Sequence, residues 1–167
     1  MMIVKKTEQF QFRFEAESAD LTRVRSIVAA TEFFTPAEVE IAIELVEERL
    51  AKGKASGYEF IFADSTSALA GYVCFGEIPC TVGSFDIYWI VVAPECQRVG
   101  LGRKLMQLTE DKVRRYHGRR IYIDTSGREQ YQSTRDFYAR CGYLPACELP
   151  DFYDLGDSKV IYSLTLK

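Results

Sequence analysis

The stretch of this chain whose residue types suggest chemistry is Gln97-Arg98-Val99-Gly100-Leu101-Gly102-Arg103-Lys104. Gly100 and Gly102 have no Cβ, so a ligand can approach the backbone closely and several N–H groups can turn the same way. If a helix starts here, the amides of its first turn lack internal acceptors and carry partial positive charge. A pyrophosphate is the kind of anion such a place holds. Arg98, Arg103 and Lys104 add mobile positive charge around it.

The flanking elements decide whether the turn is built this way. Ile87-Tyr88-Trp89-Ile90-Val91-Val92 is an apolar, β-branched and aromatic run, the pattern of a buried strand. Ala93-Pro94 stops it, since proline removes a ladder donor and disfavours helix in the residue before it. Leu101, Leu105, Leu108 and Lys112 then recur at helical spacing, so the unit is strand, glycine-bearing turn, helix. A dinucleotide turn of the form G-x-G-x-x-G is a rival, because Gly100 and Gly102 are correctly spaced and Asp124 lies where a ribose-binding acid would sit. Leu105 occupies its third glycine position, however, and too little chain follows to repeat strand-helix units. An ordinary glycine-containing turn is the third reading.

Composition narrows the class. A chain of 167 residues makes one domain, residues 1–167, with room for a sizeable core. Apolar residues make up 47% of it, which points to a globular protein rather than a disordered one. The net charge is −3 with no dense Lys/Arg block, so a nucleic-acid surface is not expected. Five cysteines (Cys74, Cys80, Cys96, Cys141, Cys147) form no C-x-x-C pair, and with the single histidine His117 they offer little to zinc; no metal is expected. His117 reads as a residue complementing a helix dipole rather than as a base. The first residues lack a signal peptide's apolar core and no apolar run approaches membrane-spanning length, so the expected location is cytoplasmic, with no membrane partner.

Along the chain, Phe10, Phe12 and Phe14 alternate with polar residues as a strand with one buried face. Ser18-Ala19-Asp20 can cap a helix to about Ala30, with Leu21, Val24, Ile27 and Val28 on its inner stripe. Thr35-Pro36-Ala37-Glu38 is a capping box with proline at the first helical position; Val39, Ala42, Ile43, Val46 and Leu50 form that helix's stripe, and Gly53 is near its end. Glu40, Glu44, Glu47 and Glu48 read as its solvated face. Strands follow at about residues 58–63 and 69–76, then the strand and helix of the glycine turn, and Gly118 ends that helix near Tyr116. Residues 120–125 form a strand, 126–132 a polar loop and 133–141 a short helix stopped by Gly142. Two last strands, near 143–148 and 160–166, are separated by Pro150-Asp151-Phe152-Tyr153 and Gly156-Asp157. The predicted order is β-α-α-β-β-β-α-β-α-β-β: a mixed α/β chain of about seven strands and four helices, mostly antiparallel, with one parallel crossover through the glycine-turn helix.

Gln97, Arg98, Gly100 and Gly102 match Q-R-x-G-x-G, and the segment resembles the acyl-CoA signature of the GNAT superfamily of N-acetyltransferases. Phe137-Tyr138-Ala139-Arg140-Cys141-Gly142-Tyr143 resembles that family's F-Y-x-x-x-G-[FY] segment, and the element order resembles the GNAT fold from end to end. The resemblance implies transfer of acetyl from acetyl-CoA, as co-substrate, to a primary amine of a small molecule or peptide. It implies that the backbone of Ile90, Val91 and Val92 pairs with the pantetheine amides, because this strand splays from the following one. It implies that Tyr138, otherwise a core tyrosine, is the general acid, and that Asp86, otherwise a solvated residue at the sheet edge, is a general base acting through water. Tyr88, two residues on, faces the same way as Asp86 and lines the acceptor site. Phe33, Phe34, Tyr131 and Tyr153 fall in segments that line acceptor pockets in such enzymes; each also suits ordinary packing. The family's asparagine after the glycine-turn helix is replaced here by Asp124-Thr125-Ser126, which leaves that contact to pantetheine without its usual group. The resemblance is compatible with a homodimer. A non-catalytic acyl-CoA sensor and a dinucleotide oxidoreductase are the alternative functions.

Overall fold

The computed structural model describes residues 10–167; the first nine, read above as lacking a signal peptide's core, lie outside the described residues. The elements are β1 (Gln11–Arg13), α1 (Asp20–Ala30), α2 (Pro36–Lys52), β2 (Glu59–Asp64), β3 (Leu69–Glu77), β4 (Ser84–Val92), α3 (Leu101–Arg115), β5 (Arg120–Ser126), α4 (Gln132–Arg140), β6 (Leu144–Asp154) and β7 (Asp157–Thr165). This is the order the sequence implies. The strands form one seven-stranded, mostly antiparallel sheet in the order β1-β2-β3-β4-β5-β7-β6, with β4 and β5 parallel across α3. The chain divides into two compact units, one comprising the described residues up to Tyr72 with Val91–Gly102, the other Val73–Ile90 with Arg103–Lys167.

In the first unit α2 starts on the capping box: Glu38 N donates to Thr35 Oγ1 at 3.3 Å and Thr35 N to Glu38 Oε2 at 2.8 Å. Val39, Ala42, Ile43 and Val46 are buried, as their spacing demands. Leu50 is 38% exposed, and Arg49, 5% exposed, takes the inward place. It donates to Tyr58 O and to Glu15 Oε2, both at 3.1 Å, so its charge is compensated. The cap expected from Ser18 does not form; Ala19 occupies the N-cap position without a side-chain bond. Asp20 enters the first turn instead, fully buried, and Arg13 grips it with Nη1 and Nη2 at 2.8 and 2.7 Å. Arg13 Nε also donates to Asp64 Oδ2 at 2.7 Å, and the guanidinium lies 4.4 Å over the Phe62 ring. This arginine ties the short β1 to β2 and α1, while Phe14, just beyond the strand, is exposed.

In the second unit the sheet buries Phe85, Ile87, Ile121 and Ile123 on one face, together with Leu105, Met106 and Val113 of α3. Gly118 ends the turn after α3 because a Cβ there would stand 2.2 Å from Val113 Cγ1 and 2.9 Å from the Phe85 ring. One expectation fails. Pro150-Asp151-Phe152-Tyr153 does not separate the last two strands but lies within β6, and the turn falls at Leu155-Gly156. β6 is an edge strand, and Pro150 lies where its pairing with β7 is interrupted, between Leu149 and Asp154. A register shift between Leu149 and Asp154, with Asp151 at φ 53, absorbs the irregularity, and Gly156 N donates to Asp151 Oδ1 at 2.7 Å. Among the described residues no helix is long and apolar enough to cross a membrane.

Candidate active site

The parallel register of β4 and β5 runs from Ser84↔Arg120 to Ile87↔Ile123 and ends there. β5 goes on pairing with β7 through Ser126↔Lys159, and β4 continues beyond Ile87 through Tyr88, Trp89 and Ile90. The strands thus part within the second unit, leaving the β5-facing edge of β4 out of that ladder from residue 88 on.

In the first unit, the chain leaves β4 at Val91 and Val92. Ala93 N donates to Ala70 O at 2.8 Å, a short 3-10 turn covers Pro94–Cys96, and Gln97 returns its side-chain Nε2 to Val92 O at 3.3 Å. Arg98 then takes φ 63 and Gly100 φ 86, directly before the first residue of α3, Leu101. Left-handed residues among right-handed ones can turn successive N–H groups to one side, and these two stand directly before a helix N-terminus. A Cβ at Gly100 would meet no atom within 4 Å, so glycine is required by the backbone angle and the space before it is open. Gly102, by contrast, sits in the first helical turn. The second left-handed position is Arg98, which the sequence singled out for its charge and not for its backbone. Leu101 is buried and anchors the turn, while Arg98, Val99, Arg103 and Lys104 are exposed. Arg103 is less mobile than its type implied, since Nη2 donates to Arg140 O at 2.7 Å and closes the end of α4.

Tyr138 lies on α4 and is 5% exposed, its ring centroid 5.8 Å from that of Tyr162 and 5.7 Å from that of Phe137. Burial, then Cys141 and Asp124, push its phenol well above the ordinary range, so the proton stays on at neutral pH. Asp86 is half-buried on the opposite sheet face from Phe85 and Ile87, level with Tyr122 and two residues from the 37%-exposed Tyr88. Burial, then Asp124, raise its carboxyl above the usual range, and Lys159 opposes them. Asp124, the first residue of the Asp124-Thr125-Ser126 segment, is bound by Lys159 Nζ at 2.5 Å.

The loop after β5 is tied to β7. Ser126 Oγ donates to Asp157 Oδ1 at 2.5 Å, Arg128 Nε to Asp157 Oδ2 at 2.7 Å, and Arg135 Nη1 to Ser126 O and Arg128 O at 2.7 and 2.9 Å. This network positions the short turn bearing Tyr131 and the start of α4. Tyr153 sits on β6 edge-on to Phe152, with centroids 5.0 Å apart. Phe33 and Phe34 belong to the first unit, in the link between α1 and α2. Asp157 and Lys159 had no sequence signal, because what they touch follows only from the β5–β7 register. A groove of about 160 Å³ between α3 and the end of α4 is lined by Arg103, Met106, Gln107, Glu110, Arg140 and Cys141. Among the described residues no His, Cys, Asp or Glu cluster has the makings of a metal site.

The model of the acetyltransferase (GNAT) family matches residues 23–143. Among solved structures, a GNAT-family protein from Desulfovibrio desulfuricans is 44% identical, with a TM-score of 0.92 over 94% of this chain and 99% of that one. The ribosomal-protein-S18-alanine N-acetyltransferase of Escherichia coli shares the fold at 17% identity, with a TM-score of 0.75 and 95% of each chain covered. So does a Salmonella typhimurium structure with acetyl-CoA, at 19% identity, a TM-score of 0.72 and 95% of each chain covered. No match among curated proteins was found.

Proposed function

The chain belongs to the acetyltransferase (GNAT) family, and on that footing we propose that it is an N-acetyltransferase, residues 1–167 serving as one such domain. It moves acetyl from acetyl-CoA to a primary amine of a small molecule or peptide, by direct attack. The observation that carries this reading is the turn before α3, where Arg98 and Gly100 take left-handed angles in front of open space. The likeness to a fold that holds acetyl-CoA in the Salmonella structure supports the same ligand here.

Acetyl-CoA, when bound, supplies an activated acyl carbon and a thiolate leaving group. The amides of Val99, Gly100, Leu101 and Gly102 bind its pyrophosphate, with Gln97, Arg98, Arg103 and Lys104 around them. The backbone of Ile90, Val91 and Val92 binds pantetheine in the manner of an added strand. Asp86 takes the proton of the acceptor ammonium through a water; a carboxyl raised toward neutrality is the stronger base for that step. Tyr138 gives its proton to the departing thiolate. Its phenol is a weak acid, but the burial that holds its proton also disfavours a bare thiolate, so transfer exchanges one poorly solvated anion for another. Tyr88, Tyr131 and Tyr153, all of the second unit, supply the acceptor's surroundings. None of the five cysteines is in a disulfide, which suits a cytoplasmic location.

The test is a thiol-release assay with acetyl-CoA across a panel of small and peptide amines, beside calorimetric titration with CoA and with NAD. Amine-dependent CoA release with CoA binding is the expected result. Tight CoA binding without turnover on any amine would make the protein a sensor, and NAD binding without CoA binding would remove the reading.

A further inference from the structure

Asp86 shares its sheet face with a second carboxylate. The β4–β5 register sets Asp86 level with Tyr122, and Asp124 follows two residues along β5, so both carboxylates project from one face of the sheet at the place where the two strands part. The charged groups facing Asp86 are Asp124 from β5 and Lys159 from β7; Tyr122 stands opposite and Tyr88 follows on its own strand. Two carboxylates so placed oppose each other's ionisation.

Lys159 is held where it offsets this. The β5–β7 register sets it level with Ser126, one step along the same face from the Asp124↔Ile161 pair. From there Nζ reaches Asp124 Oδ2 at 2.5 Å and lies 4.7 Å over the Phe152 ring. The ammonium is fixed from two sides, and its side chain is 21% exposed, so water screens it less than it would a lysine at the rim.

We propose that Lys159 is a positioning residue for the transfer: from β7 it neutralises Asp124 and thereby leaves Asp86 free to ionise and accept the amine's proton. The proposal rests on the reading of Asp86 as the base. A carboxylate at 124 burdens a neighbouring base, and a lysine at 159 relieves it.

The experiment compares the pH profiles of kcat/KM for the full chain and its variants, with carbon-13 NMR titration of the Asp86 carboxyl in the wild type and in the Lys159 and Asp124 variants. Lys159→Met should move the acidic limb to higher pH, because the ionised base loses a favourable charge and gains an uncompensated unfavourable one. On the acid side the rate should fall roughly fivefold, on the order of what removing one unit charge several ångströms away does in a medium between bulk water and a protein surface. Lys159→Arg should restore the limb. Asp124→Asn, which removes a negative charge and leaves Lys159 in place, should move it the other way, and carries the test if Lys159→Met does not fold. If Asp86→Asn keeps the wild-type limb, Asp86 is not the base and the proposal falls with it. If Asp86→Asn abolishes the limb while Lys159→Met and Asp124→Asn leave both limb and Asp86 titration in place, the base reading stands and the role of Lys159 is overturned.

Discussion

Replacing Gly100 with alanine separates what the turn costs the fold from what it does for a ligand. Gly100 holds φ 86, and an added Cβ would meet no atom within 4 Å, so the cost to folding is backbone strain alone. For an L-residue held left-handed that is about 1–2 kcal/mol. In a chain of 167 residues this lowers Tm by roughly 2–8 °C. Gly57 is the matched control: it holds φ 77, also with nothing within 4 Å, in the same compact unit but outside the turn. The two alanine variants should therefore lose similar stability. If the amides at Gly100 grip a pyrophosphate, the methyl of Gly100→Ala enters the space an oxygen needs, and CoA affinity should fall at least about tenfold, or roughly 1.4 kcal/mol. Gly57→Ala should bind CoA as wild type does. Gly100→Asp adds a negative charge to the same place and should bind none measurably. Calorimetric titration with CoA at fixed salt, run beside thermal unfolding, reads both quantities. Equal drops in Tm with CoA affinity unchanged in Gly100→Ala would refute the phosphate placement.

Tyr138→Phe should lower kcat by on the order of a hundredfold with CoA affinity little changed, as loss of a general acid does; equal turnover removes Tyr138 from that role. Asp86→Asn should abolish the acidic limb of the rate profile and also stabilise the fold at pH 7. Because burial and Asp124 raise the folded-state carboxyl, its contribution to stability is present below the unfolded carboxylate range and is lost as pH rises through the folded value. The asparagine variant's gain in Tm should accordingly shrink toward pH ~4, and no gain at neutral pH would contradict the burial argument. Thr35→Ala removes the hydroxyl that accepts from Glu38 N and should cost about 1 kcal/mol in urea unfolding; an unmoved midpoint would mean the box contributes nothing to α2.

Element types were legible along the chain because their signals are local. The capping box at Thr35, the apolar run of β4 and the helical recurrence from Leu101 each lie within a few residues, and each appears where its pattern puts it. The glycine turn was legible for the same reason, although its two left-handed residues are Arg98 and Gly100 rather than the two glycines. Local chemistry misled where a distant partner intervened. Ser18 had the cap composition, but Arg13, already bridging to Asp64, draws Asp20 inward. Pro150 had the look of a strand boundary, but an edge strand accommodates a proline at a shift in its pairing.

From sequence alone come the fold class, the family and the glycine turn proposed to bind an anion, all carried by patterns a few residues long. Tertiary structure decides the surroundings of Asp86. Asp124, Lys159 and Phe152 come together only through the β4–β5, β5–β7 and β6–β7 registers, and a strand's pattern says which residues share a face, not which residue of another strand stands beside them.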